Sequence, residues 1–348
     1  MNRKALVIFA LVIYLFCTFS QDLISLDKPI TILISLDGFR WDYIDKGYSP
    51  HLNKIAKDGV KAKALKPQYP SMTFPNHYSI ITGLYPEHHG IIANNFENSS
   101  DNKSFNLRPP TVNEAIWYRG EAFWETARRY GIISASYFWP GSEMDIDYRR
   151  PNYYKTYEHN RPYEQRVISV LDWLQLPDSS KPRFITLYFD ETDSKAHRNG
   201  TTSDSLNAGI KRVDDMVAML DSGLKYLNII DKVNLIVVSD HGMTDMYPDR
   251  MIMINELIGD EYNFVKFINH SSLGWLIVKD KDKINSIYNR LKSVEKGFKV
   301  YLKKDIPDRF NYKRHPFIGD ILIIPDLGWS LRDKKGWDSN YVSTHGYD

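Results

Sequence analysis

The sequence predicts an α/β protein: a mainly parallel central sheet flanked by helices, with a small α+β insertion. Three observations carry this. Apolar, β-branched runs alternate with helix-period segments from about Pro29 to Gly242, as in sheets covered on both faces. Carboxylates stand at or near the ends of three such runs, at Asp37, at Asp190 and Asp193, and at Asp240, where open α/β sheets hold their ligands. From about Leu257 to Lys335 the rhythm breaks into short strands and one helix.

Taken in order, the first strand is the run Ile30 to Leu36. A helix fits Pro50 to Asp58, with Ser49 as N-cap, Pro50 in the first turn and Gly59 as the stop. Val60 to Leu65 reads as a strand, and a short helix follows near Asn76 to Thr82. A helix from Glu121 to Tyr130, closed by Gly131, precedes a strand from Ile132 to Phe138. Then come a helix over Tyr163 to Leu174, a strand Phe184 to Phe189, an amphipathic helix from about Ser205 to Asn228 and a strand Val233 to Val238. In the insertion the clearest signals are the strand Ile321 to Ile324 and a helix near Lys283 to Val294. The expected division is a leader over 1–20, a catalytic core over 21–256, an insertion or cap over 257–335, and the end of the core over 336–348.

Composition narrows the function. The chain has 348 residues, 43% hydrophobic and 25% charged, a balance that excludes disordered, collagenous and multi-span membrane classes. Residues 1–20 have a short basic start, an apolar run from Ala5 to Cys17 and small or polar residues before Gln21, the pattern of a secretory signal peptide. The run is 13 residues long, below the roughly 20 a spanning helix needs, so no stable membrane span is expected. Without Arg3 and Lys4 the remaining chain carries 43 basic and 43 acidic residues, and a neutral chain lacks the field that attracts a nucleic-acid polymer. Cys17 is the one cysteine, so no disulfide is expected. Sequons at Asn98, Asn102, Asn199 and Asn269 decide nothing about the host.

Several residue patterns carry chemistry. Asp193 and His197 stand four apart, which one helical turn places on one face, as a metal site or a solvated ion pair would need. Asp240-His241-Gly242 ends a strand, so Asp240 reads either as a ligand or as a cap. Asp37, followed by Gly38, offers a third strand-end carboxylate or an Asx turn. His345 is uninformative by position. Together these carboxylates and imidazoles form the mixed oxygen and nitrogen donor set that zinc accepts. Thr73 precedes Pro75 at a helix start, where a hydroxyl caps the helix or meets an anion drawn to the free N–H groups.

The segments LDGFRWDYI, PSMTFPNHYSIITGLYPEHHGIIANN, GEAFWETARRYGI, YFWPGSE, YFDETDSKAH, VVSDHGM and THGYD occur in this order. Together they resemble the nucleotide pyrophosphatase/phosphodiesterase family of the alkaline phosphatase superfamily, over about residues 30 to 348. The resemblance implies an alkaline-phosphatase-like fold and a zinc-dependent phosphodiesterase. Two zinc ions would be held, one by Asp37, Thr73, Asp240 and His241 and the other by Asp193, His197 and His345. Thr73 would attack phosphorus in line and form a covalent phosphothreonine ester, which water would then cleave. Asn94 and the Thr73 backbone N–H would bind non-bridging oxygens. Phe74 and Tyr188 match the positions that sandwich a nucleotide base, and Trp139 and Tyr157 resemble pocket residues.

The stretch Phe96 to Trp124 resembles a loop that the lysophospholipid-cleaving branch lacks, which favours small-molecule nucleotides as substrates. Relatives continue past the position of His345 with a further strand and helix, so the chain reads as a truncated or bare catalytic domain. The alternatives are a phosphodiesterase on lipid or choline headgroups, a phosphomonoesterase, or an inactive metal-binding fragment. A monoesterase would clamp extra oxygens with an arginine near Thr73, and Arg40 is unassigned. The expected location is secreted, extracellular or periplasmic, and the oligomeric state is unspecified.

Overall fold

The computed structural model describes residues 29–98, 101, 103–333 and 340–348. The expected leader over residues 1–20, Cys17, and the sequon at Asn102 lie outside the described residues.

Five parallel strands form the central sheet, in the order Tyr153–Tyr154, Ser134–Tyr137, Phe184–Phe189, Ile30–Leu36, Val233–Val238. The first strand lies second from one edge, and its apolar run is buried because helices cover both faces. Ile30, Ile32, Ile34 and Leu36 point to the face packed by the helices Tyr163–Leu174 and Asp204–Tyr226, through Val167, Val170, Val213, Val217 and Leu220. Leu33 and Phe184 point to the opposite face, where the core contains Tyr78, Ile81, Trp117, Trp124 and Trp139.

Register sets the height of the strand ends. Leu36 pairs with Phe189, and Ser35 with both Tyr188 and Val238. Asp37, Asp190 and Asp240 therefore emerge together at the carboxyl edge. The Asp37 N–H donates to the carbonyl of Phe189 at 2.9 Å, and Gly38 turns the chain with φ of 65°. A side chain at Gly38 would meet Asp193 Cα at 2.9 Å, so only glycine lets this turn approach the helix Glu191–Asn199.

Residues 265–325 build a separate four-stranded antiparallel sheet, in the order Val265–Asn269, Gly274–Val278, Ile321–Pro325, Phe298–Leu302. The helix Ile284–Ser293 covers it with Ile287 and Leu291. Short ladders tie the chain around it: Ser330–Arg332 pairs with Met251–Met253, and Ser343–Thr344 with Thr244–Asp245.

Some expectations are corrected. Residues 60–65 form no strand; they are exposed, and among the described residues nothing pairs with them. A strand needs a ladder partner, whatever its propensity. The helix expected near Asn76 begins three residues earlier, at Thr73. Ser49 makes no side-chain cap; the Asp214 carboxylate accepts instead from the N–H groups of His51 and Leu52, at 3.0 and 2.7 Å. Nor does Asp240 cap a helix, because it accepts from the Gly38 N–H at 3.2 Å.

Candidate active site

The helix Thr73–Thr82 starts with Thr73 itself, and Met72 occupies the cap position without a side-chain hydrogen bond. The Thr73 hydroxyl is thus not a cap. Its Oγ1 lies 3.2 Å from His241 Nε2. The first N–H groups of a helix have no intrahelical acceptor, and here one of them, from Phe74, is taken by Asn94 Oδ1 at 3.1 Å. That bond fixes the amide beside Thr73 and leaves its Nδ2 as a donor.

The carboxylates and imidazoles converge on this hydroxyl. Asp37 Oδ1 and Asp240 Oδ2 stand 3.3 and 3.0 Å from His241 Nε2. Asp193 Oδ1 is 3.3 Å from His197 Nε2 and 3.6 Å from His345 Nε2. The rings of His241 and His345 stack at 3.6 Å. Six side chains from two strand ends, one helix and the segment 343–346 thereby meet in one center, and His241 touches both halves of it. Two clusters have donor atoms close enough to share an ion, Asp193 with His241 and His345, and Asp37 with His77 and Asp240.

The imidazoles are oriented alike. His197 Nδ1 is 2.7 Å from the Ser343 carbonyl, His241 Nδ1 is 2.9 Å from that of Gly242, and His345 Nδ1 is 3.0 Å from that of Ser71. A carbonyl can only accept, so each Nδ1 carries a proton, and each Nε2 faces the center, where it would offer a lone pair to a bound cation. This second contact is the one that metal-binding histidines use to fix their tautomer.

Charge accounting supports a cation here. Asp37 Oδ1, Asp193 Oδ1 and Asp240 Oδ2 are buried without a hydrogen-bond donor, and buried anionic oxygens left so are costly. Burial, then the charges of Asp240 and Asp193, hold the Asp37 carboxyl well above its ordinary range. Burial opposes the charge of Asp240 too, but His241 and His77 outweigh it and lower that carboxyl well below its usual value. At Asp193 the attraction of His197, His345 and His241 likewise overcomes burial. Burial and the neighboring His241 push His345 down to about 3. Three carboxylates against imidazoles that compete for protons fit one or more divalent cations.

The expected nucleotide-contacting residues are placed differently from one another. Phe74 sits half-buried beside Thr73, with its ring 6.0 Å from Phe105. The Tyr188 hydroxyl donates to Asp37 Oδ2 at 2.5 Å, so this side chain also serves the metal-type center. Trp139 is buried and donates to the His77 carbonyl at 2.9 Å. It backs the site from within the core. Tyr157 is about half exposed and borders a cavity of about 480 Å³ with Tyr137, Phe138 and Lys155. Its N–H is held by Glu143 at 2.8 Å. The stretch 96–124 forms a hairpin, Phe96–Asn98 against Lys103–Phe105, packed through Phe96, Phe105 and Trp117. Arg40 is engaged by Asp42, at 2.6 and 2.9 Å, and by the Met243 carbonyl at 2.9 Å.

Two further residues, His77 and Arg166, join the site, and Asp190 has a role that its strand-end position alone does not specify. His77 lies against Asp240, one turn after Thr73 in the same helix; the i, i+4 spacing was the available signal. Asp190 accepts from Arg166 and Tyr163, at 3.3 and 3.2 Å, and Arg166 in turn donates to the Tyr188 carbonyl at 2.8 Å.

With this geometry in view, known proteins agree. The family described as type I phosphodiesterase / nucleotide pyrophosphatase matches residues 31–348. The structure of murine ectonucleotide pyrophosphatase/phosphodiesterase 5 superposes with a TM-score of 0.86 at 32% identity, covering 92% of this chain and 84% of that one. An inactive threonine-to-alanine variant of the murine protein, solved in complex with AMP, has the same TM-score of 0.86. The fold is therefore of the alkaline-phosphatase-like α/β class. Human ectonucleotide pyrophosphatase/phosphodiesterase family member 1 is 40% identical over 314 residues, 88% of this chain and 34% of that protein. Venom phosphodiesterase of Macrovipera lebetinus is 36% identical over 329 residues, 91% of this chain and 38% of that protein. The chain spans little more than a third of the length of these relatives. It belongs to the type I phosphodiesterase / nucleotide pyrophosphatase family.

Proposed function

We propose that this chain hydrolyzes nucleotides or nucleotide diesters to nucleoside 5'-monophosphates, with Thr73 as nucleophile. The observation that carries this reading is the Thr73 hydroxyl at a helix N-terminus, 3.2 Å from His241 and beside the anchored Asn94 amide. By the family resemblance the center would hold two zinc ions, one on Asp37, Thr73, Asp240 and His241 and the other on Asp193, His197 and His345, with His241 close enough to the second group to lie between them. Bound there, zinc would supply Lewis acidity, lower the pKa of the Thr73 hydroxyl and neutralize charge on the phosphoryl group.

The chain's own residues perform the rest. Thr73 Oγ1 gives its proton to solvent and bonds to phosphorus as the bond to the leaving-group oxygen breaks; that oxygen departs as an alcohol or phosphate, taking up a proton from solvent, and a phosphothreonine ester remains. Asn94 Nδ2 and the Thr73 N–H donate to the non-bridging oxygens, and the dipole of the helix favors their charge. Water then attacks the ester, releases the monophosphate and restores the hydroxyl. Phe74 and Tyr188 offer aromatic faces to the base, with Tyr157 at the outer wall and Trp139 supporting from behind. The AMP complex of the murine relative's threonine variant supports a nucleotide ligand. The engagement of Arg40 by Asp42 and the Met243 carbonyl favors a diester over a monoester, which needs a further cation.

We read residues 1–20 as an export signal, so the working location is extracellular or periplasmic. No helix among the described residues is long and apolar enough to cross a membrane.

The test is the initial rate on a chromogenic nucleoside 5'-phosphodiester with added zinc, beside the matching monoester and a Thr73→Ala variant. The reading expects diester turnover that exceeds monoester turnover and falls by on the order of a thousandfold in the variant. Covalent label from a phosphorus-labeled diester should be trapped on the parent chain and not on Thr73→Ala. Faster turnover of the monoester, or of a choline phosphodiester, would replace the nucleotide assignment.

A further inference from the structure

We propose that His77 is a positioning residue that sets the nucleophile against Asp240, an inference that rests on Thr73 being the nucleophile. His77 is fully buried in the second turn of the helix Thr73–Thr82. Its Nδ1 lies 2.8 Å from the Thr73 carbonyl and 3.3 Å from Asp240 Oδ2. Its Nε2 lies 2.9 Å from Ser35 Oγ, on the strand Ile30–Leu36 that ends in Asp37. The Thr73 carbonyl can only accept, so Nδ1 carries a proton toward it, while Nε2 shares a hydrogen bond with the Ser35 hydroxyl.

One ring thus bonds the nucleophile's own peptide to the strand that ends in Asp37 and stands against Asp240 at the end of a second strand. The edges of Trp139 and Tyr188 close on it at 4.9 and 5.3 Å, and Trp139 bonds the His77 carbonyl. Those contacts pack the buried imidazole on two sides. His77 also has donor-atom proximity to Asp37 and Asp240, but both of its nitrogens are already committed, so it directs Asp240 and does not compete for the ion. Asp240 is held from the other side by the Gly38 N–H at 3.2 Å, and its Oδ2 is left for the center. A small displacement of a reacting atom costs about a hundredfold in rate, which is why the Thr73 peptide needs such a tether.

A purely structural role and a positioning role separate by which nitrogen is kept. The amide nitrogen of His77→Asn overlays Nδ1 and preserves the donor to Thr73, although it leaves a larger cavity. His77→Gln fills more volume and reproduces Nε2, but loses that donor. His77→Phe keeps the shape and loses both. With the diester assay, kcat should fall about 10- to 100-fold in the Gln and Phe variants with KM changed less than threefold, and the Asn variant should recover most of kcat. Melting curves and near-ultraviolet circular dichroism report the folded fraction, to which each rate is normalized.

Equal kcat in the Asn and Gln variants, or rates that follow the folded fraction alone, would overturn the role of His77. Absence of diester turnover in the parent chain would instead overturn the functional reading on which it rests, and that outcome is seen before any variant is compared.

Discussion

At the scale of single residues, the center is held by contacts one step away from the groups that would touch substrate. Tyr188 is the clearest case, because burial raises its hydroxyl far above the usual phenol range and keeps it a donor to Asp37. Tyr188→Phe removes that donor and keeps the ring. Outer-shell partners of metal ligands are worth roughly 10- to 100-fold in metal affinity or activity, so kcat should drop about tenfold and zinc should bind more weakly. KM for the nucleotide should stay near the parent value, since the aromatic face remains. A raised KM with unchanged zinc affinity would assign Tyr188 to the base alone. The strand-end carboxylates, the Asp193 and His197 pair and Thr73 were all legible in the sequence, because each stands in a local pattern. The bond from Tyr188 to Asp37 was not, because it depends on Ser35 lying opposite Tyr188 in the sheet register, which no local pattern encodes.

At the scale of elements, the antiparallel sheet of residues 265–325 acts on the center through the tip of one hairpin. Ser272 donates to the His345 carbonyl, and the Ser71 hydroxyl donates to the Tyr347 carbonyl at 2.9 Å while accepting from the Gly346 N–H at 3.1 Å. Gly346 has φ of 108°, and a Cβ there would meet Ser272 Oγ at 2.4 Å and Met72 Cε at 2.9 Å. Gly346→Ala therefore strains the turn by roughly 1–3 kcal/mol and should displace His345 toward solvent. The expected result is a loss of at least one bound zinc and of most diester turnover, with the melting temperature lowered by only a few degrees. Metal analysis after gel filtration checks it, and parent-like zinc content would refute the clamp. The alternation of strands and helices was readable because burial on both faces leaves continuous apolar runs. Two element-level features were not. Residues 60–65 carry strand composition without a partner, and the insertion, read as a cap, grips His345 from positions some 70 residues earlier in the chain.

At the scale of the whole molecule, three histidines outside the center make the fold sensitive to acid. Burial pushes His89 and His315 down to about 3 and His270 to about 4. His89 is held by the Ser79 hydroxyl at 3.0 Å, the Pro75 carbonyl at 3.1 Å and the Ile91 N–H at 3.2 Å, and so anchors the helix Thr73–Thr82 to the chain that follows it. His270 follows the strand Val265–Asn269 in the connection to Gly274–Val278, and His315 precedes the strand Ile321–Pro325. In the unfolded chain each would take up a proton near pH 6.5, whereas the folded state refuses it until about pH 3 to 4. The unfolded state therefore binds more protons throughout this window. Stability is full above pH 6.5 and falls as the pH drops toward 4, by up to roughly 1.4 kcal/mol per pH unit for each histidine. Urea denaturation at pH 7.0, 6.0, 5.0 and 4.5, in chelator so that metal binding does not contribute, should show the midpoint falling continuously. His89→Gln loses ring contacts and starts less stable at pH 7.0, but its loss between pH 7.0 and 4.5 should be smaller by about 2 kcal/mol, because one of the three proton-linked terms is gone. Parallel curves for the parent and the variant would mean that His89 is protonated in the folded state, and that acid lability arises elsewhere.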